Sequence, residues 1–68
     1  MAYVSGRQVK VGDYVCFKSD VEQGGKIVEI NGNDLTLHNP TGFEGGYIGG
    51  STHTVENARD CWLEGNSI

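Results

Sequence analysis

The stretch KIVEINGNDLTLH, at positions 26–38, decides how this chain folds. Apolar residues cluster before a central Asn31-Gly32 pair and alternate with polar residues after it, which is the pattern of two β-strands joined by a tight turn. Asn and Gly both tolerate the positive φ of a type I′ turn, and residues 33–34 belong to the connection if it is longer. Because strand side chains alternate between faces, Leu35 and Leu37 share the inner face. The stretch therefore predicts an antiparallel hairpin.

Short strands are also expected on both sides of this hairpin. In the first of them Val15 and Phe17 share one face, whereas Tyr14 and Cys16 share the other. Along the chain, the predicted elements are strands at 14–18, 26–30 and 34–38, a polar loop at 19–25, a β-like segment at 51–55, a helical turn at 55–58 and a last strand at 61–64. This order predicts an all-β fold, a small SH3-like barrel of about five short antiparallel strands with one helical turn before the last strand.

The composition is that of one small domain. The chain has 68 residues with 11 glycines and a single proline, and no linker or low-complexity tract divides it. We therefore expect one SH3-like domain over residues 1–68, with a frayed tail at 65–68. A core of this size gives little stability, which makes self-association an option before any site is considered.

Charge and hydropathy argue against two kinds of partner. The formal net charge of −4 disfavours non-specific binding of nucleic acid, which needs a field of Lys and Arg side chains. The N-terminal residues lack the pattern of a signal peptide, and no apolar run has the length of a membrane span. We therefore expect a cytoplasmic protein with no membrane partner. A short free-standing chain also suits a phage or mobile-element protein.

Residues 39–51, here called the flap, form a Gly-rich segment with two alternative roles. The flap carries Phe43, Tyr47 and Ile48 among glycine pairs that could act as hinges. Together with Tyr14, these side chains would form an exposed interface for a protein partner or a second copy of the chain. In the alternative, the flap packs over an open end of the barrel and its rings join the core.

A second candidate site would bind an anionic small molecule such as a nucleotide. Consecutive glycines expose backbone N–H groups that can surround an anion, and neighbouring hydroxyls add donors. The segment is not a Walker A motif, because it lacks Gly-Lys-Ser/Thr and a following helix. The residues that would converge across subunits are Lys18, Lys26, Gly49, Gly50, Ser51, Thr52 and His53.

Cysteine and histidine occur in numbers that suit a metal site but not at its spacing. Cys16 and Cys61 with His38 and His53 make up a Cys2His2 set, yet no two of them are close in sequence as zinc ligands are. We therefore predict no metal site and no cofactor. Both thiols lie in apolar strands, where burial makes them unreactive, so no catalytic residue is predicted either. A Cys16–Cys61 disulfide is geometrically conceivable, although cytoplasmic thiols stay reduced.

Residues 11–37 resemble a KOW motif. The resemblance rests on an opening Gly12-Asp13, a loop closed by Gly25 and a second strand that carries Ile27-Val28. KOW domains usually bind RNA or protein in ribosomal and transcription settings. The resemblance therefore implies a module that binds one of these partners.

A longer resemblance is to the type II, plasmid-borne dihydrofolate reductases, which are SH3-like barrels that form tetramers around a central pore. The matching positions are 12–15, Lys18-Ser19, Gln23-Gly24, Ile27-Val28, Gly50-Ser51 and Ala58. The resemblance implies an SH3-like fold and self-association. The family lines its pore with a Val-Gln-Ile-Tyr run, whereas this chain has Thr52-His53-Thr54-Val55 there, so reductase activity is not expected.

These observations give three functional hypotheses in order of preference. The first is a small non-enzymatic interaction module that contacts a protein partner or itself through the flap. The second is a homo-oligomer whose shared groove or pore binds an anionic small molecule such as a nucleotide. The third is a KOW-like module that binds nucleic acid.

Overall fold

The computed structural model describes residues 2–63 of the chain. This part is all-β, as the sequence predicts, with two antiparallel sheets and two short 3₁₀ turns. The elements are β1 (Ala2–Val4), β2 (Arg7–Val9), β3 (Tyr14–Ser19), β4 (Val21–Asn31), β5 (Asp34–His38), a first 3₁₀ turn (Gly46–Ile48), β6 (His53–Asn57) and a second 3₁₀ turn (Ala58–Asp60). β1 and β2 form their own hairpin, and the other strands form one sheet in the order β3-β4-β5-β6. Within this part of the chain, a helix of membrane-spanning length and hydropathy is absent.

The β4–β5 hairpin has its turn one residue later than the sequence predicts. Asn31 pairs with Asp34, so the loop residues are Gly32 and Asn33 rather than Asn31 and Gly32. Of the two loop residues only Gly32 has a positive φ, of 61°, and a positive φ at the first loop position alone is the pattern of a type II′ turn. The predicted strand at 34–38 is confirmed.

The polar loop predicted at 19–25 is wrong, because most of these residues extend β4. Ser19 pairs with Val21, and Asp20 turns the chain between them with a φ of 68°. Asp adopts this left-handed conformation more readily than most residues, since its short polar side chain can bond nearby groups. The glycines that indicated a loop have a different role within the strand.

The two consecutive glycines of β4 make room for one aromatic ring on each face of the sheet. A Cβ at Gly24 would lie 2.6 Å from the hydroxyl oxygen of Tyr14, whose side chain points outward. A Cβ at Gly25 would lie 3.0 Å from Cζ of Phe43, on the inner side. Each glycine therefore leaves space for a ring that approaches the strand closely.

The core lies between the inner face of the four-stranded sheet, the flap and the β1–β2 hairpin. The predicted inward positions are confirmed, since Val15, Phe17, Leu35 and Leu37 are all buried. The rings of Phe17 and Phe43 meet edge to face, with centroids 5.4 Å apart and planes at 62°. The other core side chains are Ala2, Val4, Val9, Ile27, Ile48, Ala58 and Cys61.

The β1–β2 hairpin has no counterpart among the predicted elements. Ser5 and Gly6 form its turn with φ values of 52° and 79°, the two positive angles of a type I′ turn. Each strand has 3 residues, which is too short for alternation to be visible in the sequence. The hairpin is anchored because Ala2 and Val4 are buried and because β1 contacts the second 3₁₀ turn.

The helical turn predicted at 55–58 is displaced toward the C-terminus. Residue 55 pairs with Thr36 in the sheet, so β6 continues to Asn57 and the 3₁₀ turn covers Ala58–Asp60. The Oδ1 atom of Asn57 accepts a hydrogen bond from the Arg59 N–H at 3.0 Å and caps this turn.

The last strand, predicted at 61–64, is reduced to a single bridge within the described residues. Trp62 and Cys16 exchange backbone hydrogen bonds of 2.8 and 2.9 Å, which attaches the chain end to the outer edge of β3. Trp62 is half-buried, not part of the core. Residue 64 and the predicted tail at 65–68 lie outside the described residues.

We expect Phe43→Ala to destabilise the fold by about 3–5 kcal/mol, because it removes a ring that is 99% buried and empties the space beside Phe17 and Gly25. Tyr47→Ala is the matched control from the same segment. It should lower the free energy of unfolding by less than about 1 kcal/mol, because the Tyr47 ring is exposed. Urea unfolding followed by circular dichroism measures both. Equal midpoints for the two variants would contradict the core assignment of Phe43.

Candidate functional site

Four side chains form a row across the outer face of the sheet, here called the outer row. Tyr14 of β3 pairs with Lys26 of β4, Lys26 pairs with His38 of β5, and His38 pairs with His53 of β6. Directly opposed residues in antiparallel strands have Cβ atoms about 4.5–5.5 Å apart, so each of these side chains neighbours the next. The outer row thus brings together residues that lie far apart in the sequence, from position 14 to position 53.

A groove of about 470 Å³ runs along this row. It is lined by Tyr14, Gly24, Gly25, Lys26, His38, Asn39 and Pro40. Its floor is backbone, because the two glycines of β4 offer no side chain. Its walls combine an aromatic ring, an ammonium group, an imidazole and a proline ring, which is a mixed apolar and cationic lining.

The ring of Tyr14 is held over the strand at one end of the groove. Its Oη, Cε1 and Cζ atoms occupy the space within 2.8 Å of where a Cβ of Gly24 would be. The side chain is nevertheless 51% exposed, so one part of the ring covers backbone and another part faces solvent. A partly exposed aromatic ring is a surface against which another planar group can pack.

The two histidines of the outer row contact each other at its other end. Their ring centroids lie 4.5 Å apart with planes inclined at 39°. Nδ1 of His53 lies 3.1 Å from Oγ1 of Thr52, which restrains the ring orientation. His38 is half-buried and His53 is exposed. The pair therefore presents two imidazoles to a ligand that enters beside Lys26.

A smaller cavity of about 260 Å³ lies on the other side of Tyr14, between the β1–β2 hairpin and β3. It is lined by Arg7, Gln8, Val9, Asp13, Tyr14 and Leu63. Asp13 accepts hydrogen bonds from the backbone N–H and the ammonium of Lys10, and these bonds lower the pKa of its carboxyl group. Its carboxylate offsets the Arg7 charge at this cavity, which disfavours an anionic ligand here.

The flap is tied to the β3–β4 hairpin by side chains from the sheet. The Gln23 amide donates to the Glu44 carbonyl at 2.7 Å and accepts from the Glu44 N–H at 2.9 Å. The Asp20 carboxylate accepts a hydrogen bond from the Gly46 N–H at 2.6 Å. A Cβ at Gly45 would lie 2.7 Å from the Ser19 carbonyl, so this glycine allows close approach rather than acting as a hinge.

The exposed interface predicted on the flap needs correction. Phe43 and Ile48 are buried, because the flap packs against the core as in the alternative interpretation. Of the three flap side chains, only Tyr47 is exposed, at 76%. Tyr14 is also exposed, but it lies in the outer row and not beside the flap residues that join the core. The hydroxyl of Tyr47 donates to Glu56 Oε2 at 2.6 Å, and this bond to a carboxylate raises the pKa of Tyr47.

The predicted anion site is brought together only in part. Lys26 and His53 meet in the outer row, whereas Lys18 pairs with Glu22 toward the far end of the β3–β4 hairpin.

The Gly-rich donors of that predicted site are engaged within the chain. The Gly50 N–H donates to the Phe43 carbonyl and the Ser51 N–H to the Ile48 carbonyl, both at 2.8 Å. The Ser51 hydroxyl donates to the His53 carbonyl at 2.6 Å. Gly49 and Thr52 are exposed, and Thr52 is the partner of His53 described above. The flap therefore does not form an open nest for an anion.

Five groove residues were missed by the sequence analysis as site members, namely Gly24, Gly25, His38, Asn39 and Pro40. His38 could have been found, because the alternation at 34–38 places it on the outer face opposite the leucines. Asn39 holds its place by donating from its side-chain amide to the Gly24 carbonyl at 3.4 Å, a long-range contact with no local signal.

Neither cysteine lines the groove, although Cys16 pairs with Gly24, and both are thiols in the structure. Burial, with Glu56 and Asp60 nearby, raises the pKa of the Cys61 thiol to about 12. The thiol donates to the Asn57 carbonyl at 3.5 Å. Cys16 is half-buried, less enclosed than predicted. Among residues 2–63, no group of three or more His, Cys, Asp or Glu side chains is arranged to hold a metal ion.

Comparisons of the chain with protein-family models, with curated proteins and with solved structures find no match. The resemblances to SH3-like barrels, KOW motifs and type II reductases therefore remain expectations from the sequence.

We expect Gly24→Ala to destabilise the protein by about 1 kcal/mol, at the low end of overpacking costs, because the new methyl group displaces the partly exposed Tyr14 ring. Gly49→Ala is the control, since Gly49 has a negative φ of −48° and its nearest neighbour would lie 3.8 Å from the new Cβ. Thermal unfolding of Gly24→Ala, Tyr14→Ala and the double variant measures the coupling. The loss of stability in the double variant should be clearly smaller than the sum of the losses in the two single variants. Strict additivity would mean that the ring does not lie over Gly24.

We expect the Cys61 thiol to resist alkylation at pH 8 in the native protein. A pKa of about 12 instead of the ordinary 9.0 lowers its thiolate fraction by roughly 10³-fold, since each pKa unit is a factor of ten. Iodoacetamide labelling of a Cys16→Ser variant, with and without urea, isolates this thiol. Equal labelling rates of the folded and the urea-unfolded chain would contradict the burial of Cys61.

The same pKa shift makes the free energy of unfolding fall as pH rises from 9 to about 12, because over this range only the unfolded chain releases the thiol proton.

Proposed function

We propose that this chain is a small non-enzymatic binding module that takes its ligand in the groove on the outer face of the four-stranded sheet. The observation that carries the proposal is the outer row, because three of its four members line the groove and the fourth contacts it through His38. Strand pairing fixes these side chains in register, so the surface is formed before a ligand arrives.

The chemistry of the groove favours a ligand with a planar ring and an anionic group, such as a nucleotide. Lys26 supplies a positive charge, and within residues 2–63 the one ion pair joins Lys10 to Asp13 and leaves this ammonium available. The imidazoles of His38 and His53 add N–H donors. Tyr14 and Pro40 offer ring faces against which a planar group can pack.

The groove also supports binding rather than catalysis. Its lining contains no thiol, no aliphatic hydroxyl and no carboxylate that could orient His38 as a base. The Cys61 thiol lies elsewhere, and its raised pKa keeps it protonated. A non-enzymatic role is therefore part of the proposal, together with the cytoplasmic location and the mobile-element origin expected from the sequence.

Contact with a protein partner or with a second copy is the second candidate function. It is favoured by the exposure of Tyr47, a large side chain that the flap leaves at the surface. Binding of nucleic acid in the manner of a KOW module is less favoured, because Lys26 is the single lysine or arginine that lines the groove.

A thermal-shift titration tests the groove, with adenosine monophosphate as the probe and adenosine and inorganic phosphate as its two parts. We expect the mononucleotide to raise the melting temperature, by the equivalent of about 2.7 kcal/mol at a hundredfold excess over Kd, and each part alone to raise it less. Lys26→Gln should remove most of the shift.

Lys18→Gln is the matched control, because Lys18 is exposed on the same strand pair outside the groove. The proposed class of ligand, a planar ring with an anionic group, would be refuted by either of two results. One is that millimolar nucleotide does not shift the melting temperature, and the other is that Lys26→Gln and Lys18→Gln reduce the shift equally. A response to oligonucleotides that weakens steeply with salt would favour the nucleic-acid alternative instead.

A further inference from the structure

The four-stranded sheet has one covered edge and one open edge. At the β3 edge, Trp62 exchanges backbone hydrogen bonds with Cys16 and so attaches the end of the described chain to the strand. At the other edge, β6 pairs with β5 on one side, and residues 2–63 place no strand on its other side. An open edge exposes backbone donors and acceptors to another chain.

Strand geometry identifies which backbone groups of β6 point outward. The Ala58 N–H donates to the Asn33 carbonyl, and the Thr52 carbonyl accepts from the Asn39 N–H. In an antiparallel pair, hydrogen-bonded and non-hydrogen-bonded positions alternate. Residues 52, 54, 56 and 58 therefore face β5, and the backbone groups of His53, Val55 and Asn57 face away from it.

Two of these three outward positions are already satisfied at least in part. The Ser51 hydroxyl donates to the His53 carbonyl and accepts from the His53 N–H at 3.2 Å. The Asn57 carbonyl accepts from the Cys61 thiol. Val55, at the centre of β6, remains as the position that offers both its N–H and its carbonyl to a new strand.

The side chains around Val55 leave this edge unprotected. Val55 is 56% exposed on the outer face, and the exposed Tyr47 ring is held beside β6 through its bond to Glu56. Glu56 is the one charged residue of β6, and its Oε2 accepts from both Tyr47 and Thr54. The strand has no proline and no bulge, two of the features that keep natural sheet edges unpaired.

We propose that two copies of this chain associate through antiparallel pairing of their β6 strands, centred on Val55. In this register, the Val55 residues oppose each other and exchange two backbone hydrogen bonds across a two-fold axis. His53 then opposes Asn57, and Thr54 opposes Glu56, so no carboxylate faces a carboxylate although each copy has a net charge of −4. The exposed Val55 and Tyr47 side chains become covered on the two faces of the joined sheet.

A second copy fits this edge better than an unrelated strand for two reasons. The register is self-complementary, because the one open donor–acceptor pair sits at the centre of the strand. The only carboxylate of the strand, that of Glu56, meets the neutral Thr54 in that register. The short edge gives a dissociable dimer with a closed symmetry, not a filament. This inference does not depend on the ligand groove.

Sedimentation velocity over a wide range of protein concentrations tests the proposal. We expect the mass to rise from one chain toward two, and Val55→Lys to remain a monomer at every concentration because it places two ammonium groups opposite each other. Val28→Lys is the matched control, since Val28 is an exposed valine in the interior strand β4. It should assemble like the unaltered chain.

Amide hydrogen exchange on the unaltered chain provides a second readout that needs no variant. Protection of the Val55 amide should increase at least several-fold between dilute and concentrated samples, whereas amides within β4 should not change. A monomer at all concentrations, protection of Val55 that is independent of concentration, or assembly that Val55→Lys leaves intact would each overturn the proposal. Nucleotide titrations in the dilute, monomeric range keep this result separate from the outcome for the groove.

Discussion

The absence of two side chains in the middle of β4 is the constraint on which the rest of this structure depends. Gly24 leaves space on the outer face for Tyr14, and Gly25 leaves space on the inner face for Phe43. Because side chains alternate along a strand, two consecutive glycines open both faces at one level of the sheet. The inner space lets the flap insert Phe43 beside Phe17 and complete the core. The outer space holds the Tyr14 ring, which lines the groove. One local feature therefore joins the packing of the domain to its candidate site.

Much of the fold was predictable where alternation extends over five or more residues. The inward residues of β3 and β5 and the bounds of β5 follow from the pattern alone. The pattern failed where glycine has a role other than a turn, as at residues 24–25, and where strands are as short as β1. It also failed at 55–58, because the i, i+3 spacing of two small apolar residues suits a helical turn and a strand end equally. Tertiary pairing with Thr36 decided that segment.

The candidate site was less predictable than the fold, because it depends on strand register. Lys26 and His53 were identified as ligand-binding residues, but their neighbours in the outer row follow only from which residues pair across the sheet. The large apolar side chains of the flap illustrate the same limit. A sequence shows that Phe43, Tyr47 and Ile48 are close along the chain, but not which of them the core takes up. Burial of two and exposure of one results from the way that Gln23 and Asp20 hold the flap.

That attachment of the flap has a consequence for the order of folding events. Gln23 contacts Glu44, which lies 21 positions further along the chain, and Asp20 contacts Gly46, which lies 26 positions further. The Gln23 and Asp20 side chains are in place only once the β3–β4 hairpin is closed. The local hairpins can form early, since their loops are short, whereas the flap must dock onto them afterwards. Release of the flap withdraws Phe43 and Ile48 from the core together. The flap therefore detaches as one cooperative unit.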